Sequence, residues 1–219
     1  MSADIIGTEI REVLARLIIA GLSVQQSNPS IKEVDGGCIS IGDLPVASAA
    51  MKNVQYEMIY QNLEANSSFH TKLIDGGLVS FQYLVSPSGN ILKHRLSYFP
   101  SFALPTIEEA PDLYENDELF AEIMLQRLVR FPIRIDFSPA QHVDVDHPQC
   151  HLTLGQFDSC RIPVSGPVGP LAFTLFLLRN FYRRSYIRHK NVFDKRVKRL
   201  LMESTITAAE RRITHLVVV

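Results

Sequence analysis

The chain has 219 residues, is 46% apolar, and carries 22 Lys/Arg against 23 Asp/Glu. That length suits one large domain with an ordinary core, and no apolar run, the longest being Leu171 to Leu178, approaches the roughly 18 residues of a membrane span. Three cysteines without a CxxC spacing, and a start (Met1-Ser2-Ala3-Asp4) that lacks a basic-then-apolar leader, argue against a secreted disulfide scaffold and for a reduced, cytoplasmic setting.

Residues 8–23 predict an amphipathic helix. Thr8 opens it, Glu9 and Glu12 make its first turn acidic, and Ile10, Val13, Leu14, Leu17 and Ile18 share one face. Asn28-Pro29-Ser30 is expected to end it. Residues 37–61 are open between helix and strand, although Cys38-Ile39-Ser40-Ile41 alternates like a strand. Two β-rich runs, Leu78 to Val85 and Ile91 to Phe99, flank Ser86-Pro87-Ser88-Gly89-Asn90 and predict a hairpin at about 78–99. Residues 106–117 then form an acidic loop, residues 118–128 a helix, and residues 129–137 a strand. A short strand, Cys160 to Val164, follows. The loop Ser165-Gly166-Pro167-Val168-Gly169-Pro170 enters a helix over 171–187, with Pro170 near its first turn. A helix N-terminus can seat an anion, but two prolines remove donors here, so the loop reads as a rigid connector. A second, basic helix is expected over roughly 190–212. The closing Leu216-Val217-Val218-Val219 fits a last strand or a partner hook. The expected architecture is α+β: an antiparallel sheet packed by an N-terminal helix and basic C-terminal helices. The expected division is a domain over 1–189 and a basic helical extension over 190–219, docked on it.

The densest chemistry lies between His142 and His151, which hold three of the seven histidines and two aspartates within ten residues. In extended geometry His142, Asp144 and Asp146 would share a face, with Val143 and Val145 toward the core. An imidazole and two carboxylates in that arrangement could hold Mg²⁺ or Mn²⁺. His147, biased toward extended geometry by Pro148, and His151 on the next strand are candidates for acid–base work with Asp146. Arg134 or Arg161 would lend positive charge to leaving oxygens. The bland alternative is an exposed strand and turn whose polar groups cap backbone. Two-histidine phosphoesterases carry two His–apolar–Ser/Thr–apolar motifs. His151-Leu152-Thr153-Leu154 fits one, but no clean second copy is present, so a plain strand is the better reading of that match. Cys150 beside His151 makes no nucleophile–base pair, because neighbours on a strand face opposite ways.

The charges are split along the chain. Residues 1–178 hold 11 Lys/Arg and 20 Asp/Glu, whereas residues 179–219 hold 11 and 3. Arg179 to Arg199 interleaves cations with Phe181, Tyr182 and Tyr186, a pattern that suits phosphate neutralisation with base stacking. Arg183, Arg184, Arg188, Lys195 and Arg199 are the expected phosphate contacts. A solvated helix face, paired with the acidic 106–122 segment or with a partner protein, accounts for the same charges equally well.

The pattern Val145-Asp146-His147-Pro148, His151-Leu152-Thr153-Leu154-Gly155-Gln156 and Cys160-Arg161-Ile162-Pro163-Val164, together with Asp75-Gly76-Gly77-Leu78 and Arg134-Ile135-Asp136-Phe137, resembles an uncharacterised bacterial domain-of-unknown-function family over most of residues 70–185. Families of this kind occur beside mobile elements and defence or toxin systems, and the resemblance implies no catalytic residue. The expected function is metal-assisted phosphodiester hydrolysis on a nucleic acid or nucleotide, nuclease-like and in a defence or toxin-type setting. The competing expectation is a non-catalytic module that binds nucleic acid or a protein partner, with a structural His/Asp segment.

Overall fold

The computed structural model describes residues 2–42, 54–102, 131–157, 159–195 and 202–218. The acidic loop and the helix expected over 106–128 lie outside these residues, as does Arg199. The expected hairpin forms the middle of the sheet. Strand β5 (Leu78–Val85) pairs with β6 (Ile91–Phe99), placing Phe81 opposite Leu96 and Gln82 opposite Arg95. Gly89, at φ +91°, turns the chain between them, and Ser86 receives the Asn90 N–H on its hydroxyl (3.0 Å). Beyond β6 come β7 (Ile133–Phe137), β8 (Cys150–Leu154) and β9 (Ile162–Pro163), every pairing antiparallel. On the other side, β5 is flanked by β4 (Thr71–Leu73) at one end and β3 (Cys38–Ile41) at the other. Strands β1 (Ser23–Gln26) and β2 (Ile31–Val34) pair outward onto β4 and β3 respectively. The fold is α+β, with an antiparallel sheet, an N-terminal helix and C-terminal helices.

Strand alternation divides the sheet into two faces. One face carries Phe81, Tyr83, Leu96, Tyr98, Ile135, Phe137, Cys150 and Leu152, all buried. Helices α1 (Ser2–Ile19) and α3 (Pro170–Phe181) cover it. The apolar stripe of α1 begins at Ala3 and Ile6, so the helix starts six residues before Thr8. It ends earlier than expected, because Gly21 takes a left-handed φ of +66°. There Leu22 N–H reaches back to Leu17 O (2.9 Å), closing the helix as a C-terminal glycine does. Two charges of α1 are buried at the ends of other helices. Glu9 accepts the Leu171 N–H in the first turn of α3 (2.9 Å), so the anion seat there is filled by the chain itself. Arg16 donates to Phe193 O and Lys195 O at the end of a later helical turn, at 2.9 Å each. Both contacts put a charge where exposed helix-end groups of opposite polarity need a partner. On the opposite face, α2 (Tyr56–Ala65) packs Ile59, Tyr60 and Leu63 with Phe69, Leu78 and Phe99.

The C-terminal third departs most from expectation. The helix expected over 171–187 breaks at Tyr182 (φ −126°, ψ 41°) into α3 and α4 (Arg183–Arg188). Tyr182 is buried there, with its hydroxyl donating to Asp75 Oδ2 (2.7 Å). Of the second helix, the described residues before 196 show α5 (Lys190–Phe193). Residues 202–207 have no regular secondary structure, and Glu210–Arg212 make one 3₁₀ turn. Leu216 forms a single parallel bridge with Val164. The three cysteines are free thiols. Among the described residues no helix is long and apolar enough to cross a membrane.

One backbone approach fixes how β3 meets the sheet. Gly42 has φ +71°, and a Cβ there would lie 2.0 Å from Phe81 O and 2.9 Å from the His70 ring. Neither backbone nor a buried ring can yield that much. Gly42→Ala is therefore expected to lose at least about 2 kcal/mol in urea denaturation, from the left-handed conformation and the forced separation of β3 and β5. A change below about 0.5 kcal/mol would show that the edge is loosely held.

Candidate functional site

The site lies on the sheet face away from α1 and α3. Register places Arg95 of β6 opposite Asp136 of β7, Asp136 opposite His151 of β8, and His151 opposite Pro163 of β9. Directly opposed residues are near enough for their side chains to interact, so a cation, a carboxylate and an imidazole form a row across three strands. Arg134 and Thr153, two residues along, share that face. Arg95 Nε lies 2.8 Å from Asp136 Oδ1, and Arg134 Nε lies 2.6 Å from Asp136 Oδ2. Asp136 is 7% exposed. Burial alone would raise its carboxyl, but Arg134 and Arg95 outweigh it and hold the group below the ordinary carboxylate range.

His151 is held at one ring nitrogen. Nδ1 is 3.0 Å from Pro148 O. A carbonyl can only accept, so the proton sits on Nδ1, and Nε2 carries the lone pair. That nitrogen lies 4.0 Å from Asp136 Oδ2. The His147 ring meets His151 edge to face, centroids 4.8 Å apart. Both imidazoles are shifted below the ordinary histidine range. Burial is the main cause for each, and the nearby Arg161 charge adds to it. The pair is therefore neutral near pH 7 and can accept a proton. His151 is buried and His147 half-buried, so His147 is the solvent-facing member of the pair. Its Nδ1 is buried and has no hydrogen-bond partner.

The segment before this pair is not an extended strand. Val143 and His147 pair as a narrow bridge, with Val143 N to His147 O at 3.0 Å and His147 N to Val143 O at 2.7 Å. Residues 144–146 are the turn between them, and Val145 has a left-handed φ of +68°. A turn that tight destroys i, i+2 alternation, so His142, Asp144 and Asp146 do not share a face. Val143 and Val145 are exposed rather than in the core. Asp146 is exposed and is not part of the cluster that His142 and Asp144 join.

His142 and Asp144 instead meet Glu210, which the sequence reading did not pick out. His142 Nε2 lies 3.3 Å from Glu210 Oε1. One ligand atom from each of His142, Asp144 and Glu210 falls within 4.8 Å of the other two. Thr207 organises the group. Its hydroxyl donates to Asp144 Oδ1 (2.5 Å), its N–H donates to Glu210 Oε2 (3.0 Å), and it accepts the Glu210 N–H (3.2 Å). Thr207-Ala208-Ala209-Glu210 is thus a capping box, a Thr-x-x-Glu spacing visible in the sequence.

The basic stretch is divided differently from its sequence pattern. Arg183, Arg184, Arg188 and Lys195 are exposed. The aromatic rings between them mostly are not: Tyr182, Tyr186 and Phe193 are buried in the main core, so they offer no stacking platform. Arg179 lies over the Tyr186 ring, 5.2 Å from its centroid, and Lys190 pairs with Asp194 at 2.6 Å.

A family model described as "Uncharacterized conserved protein (DUF2290)" matches residues 22–218, and the chain belongs to that family. No curated protein and no solved structure matches the chain.

Proposed function

We propose that this member of the DUF2290 family is a hydrolase of phosphodiesters in a nucleic acid or nucleotide, worked by His147 and His151. The observation that carries this reading is the neutral imidazole pair, with centroids 4.8 Å apart, beside the Asp136 carboxylate and within the field of Arg161. In such a site a phosphoryl group binds against Arg161, with Arg134 adding charge from β7, on the other side of β8. His147, the more exposed of the two rings, takes the proton from the attacking water. That proton is returned to the leaving oxygen through the imidazole pair. His151 holds His147 in place, and its own tautomer is fixed by Pro148. Asp136 stabilises the pair when it gains the proton, as a buried carboxylate does beside a catalytic imidazole. Exposed Arg183, Arg184, Arg188 and Lys195 would attract the rest of a polyanion, through charge and without stacking. Asp146 is left out of the mechanism by its exposure.

The test is cleavage of labelled DNA, RNA and a small phosphodiester, with Mn²⁺ present. His147→Ala and His151→Ala should each lower the rate by at least about 100-fold, the usual scale of acid–base catalysis, while Asp146→Ala leaves it within about twofold. Because the base works in its neutral form and its proton affinity is lowered, the wild-type rate should persist below pH 6.5. Wild-type protein that cleaves none of the three, or His147→Ala at full rate, would overturn the assignment. Salt-sensitive binding of DNA or RNA without cleavage would then favour the non-catalytic module.

A further inference from the structure

We infer that His142, Asp144 and Glu210 form a divalent-cation site that joins the segment before β8 to the C-terminal segment. Two features carry this beyond a chance meeting of polar groups. The first is the state of Glu210. Its side chain is 1% exposed, yet no Lys or Arg lies within ion-pair distance of it among the described residues. Its neighbours are the Thr207 N–H on Oε2 and the His142 ring on Oε1. Placing a carboxylate where water cannot reach it is costly unless a positive charge compensates. The group beside it makes that worse, since Asp144 brings a second carboxylate to the same point.

The second feature is the orientation. Thr207 donates its hydroxyl to Asp144 and its N–H to Glu210. One residue thereby fixes both carboxylates, leaving Glu210 Oε1 turned to His142 Nε2. Hydrogen bonds behind the ligands, which hold the donor atoms toward a common point, are how cation sites are supported. Two oxygens and one imidazole nitrogen suit Mn²⁺, with Mg²⁺ weaker. Three protein ligands leave further positions for water or a phosphate oxygen. The site stands whether or not the chain is a hydrolase. Its part in catalysis, beside His147 at the end of the same turn, rests on the hydrolase reading.

Mn²⁺ itself is the probe, its binding followed by the loss of the free-ion electron paramagnetic resonance signal. Wild-type protein should bind one ion per chain, and Mn²⁺ should raise its melting temperature by tethering residues 202–212 to the turn at 143–147. Glu210→Gln and Asp144→Asn keep hydrogen-bond acceptors for Thr207 but remove charge. Each should weaken Mn²⁺ at least 10-fold and abolish the thermal shift, whereas Asp146→Asn should change neither. Circular dichroism of the two variants without metal, matching wild type, separates lost ligation from lost folding. No stoichiometric Mn²⁺ binding to wild type, or undiminished binding to Glu210→Gln, would overturn the site. Tight Mn²⁺ binding without any phosphodiester cleavage would keep it and remove the hydrolase reading.

Discussion

The midpoint of urea denaturation should fall steeply as pH drops from 6.5 toward 4, before most carboxylates begin to protonate. His70 and His94 are the cause. Each is 1% exposed, and burial pushes each down to about 4. Each also accepts a backbone N–H. Phe81 N donates to His70 Nδ1 (3.1 Å), and Val168 N donates to His94 Nε2 (3.0 Å). A protonated ring would face donor with donor in both places. His94 in addition lies between the Tyr83 ring, at 5.4 Å, and the Phe137 ring, at 5.6 Å. Since the folded-state values lie below the unfolded one, the unfolded chain binds more protons in this window. Their stabilisation is complete above about pH 6.5 and is lost as pH falls through the window. A shift of about 2.5 from the ordinary value corresponds to roughly 3 kcal/mol per histidine at the acid end. Asp75, whose buried carboxyl is raised, opposes the trend, because its protonation favours the folded state. His94→Gln retains a neutral acceptor, so it should cut the pH dependence by about half while costing little at pH 7.5. An unchanged slope in that variant would mean that some other group drives acid unfolding.

What the sequence could and could not reveal follows from which interactions are local. The hairpin was legible because alternation and a Ser-Pro-Ser-Gly-Asn turn both act within about twenty residues. The core face of α1 was legible for the same reason, whereas its end was not. The stop depends on Gly21 going left-handed, ahead of the stronger local signal at Asn28-Pro29. The basic helix expected over 190–212 does not extend through 202–207, because charge pattern says little about packing. Residues 202–212 instead follow the path set by Thr207, Glu210 and the bridge at Leu216. At the candidate site, the run from His142 to His151 was visible as a concentration of ligands. Its grouping was not visible, because a left-handed Val145 breaks the alternation on which the expected face depended. Glu210 arrives from 68 residues beyond His142, and only its capping-box spacing marked it. Arg95 and Asp136 were missed although Arg134-Ile135-Asp136 places two charges on one strand face. The further step, that β6, β7 and β8 align Arg95, Asp136 and His151 in one row, is a matter of register between strands far apart in the chain.

That row gives the second large effect. Asp136→Ala should destabilise the protein by about 3 kcal/mol, on the scale of breaking a buried ion pair from one side. The carboxylate stands between the Arg95 and Arg134 guanidinia, at 2.8 and 2.6 Å, and their side chains are 19% and 24% exposed. Removing it withdraws the negative charge that both guanidinia contact, in a space from which water is largely excluded and where charge interactions are strong. Asp136→Asn keeps the shape and an acceptor oxygen, so it should cost less, yet it loses the same charge. If the cost is electrostatic, Asn should recover only part of the Ala loss. If the cost is a cavity, Asn should recover nearly all of it. The same pair of variants bears on the proposed chemistry. Asp136 Oδ2 lies 4.0 Å from His151 Nε2, and its negative charge favours the protonated imidazole. Without that charge the proton affinity of His151 falls further, so any hydrolysis by Asp136→Asn should drop even where the variant is fully folded. A folded Asp136→Asn that cleaves at the wild-type rate would confine Asp136 to stability. A loss below about 1 kcal/mol in Asp136→Ala would instead mean that the two arginines are held apart without it.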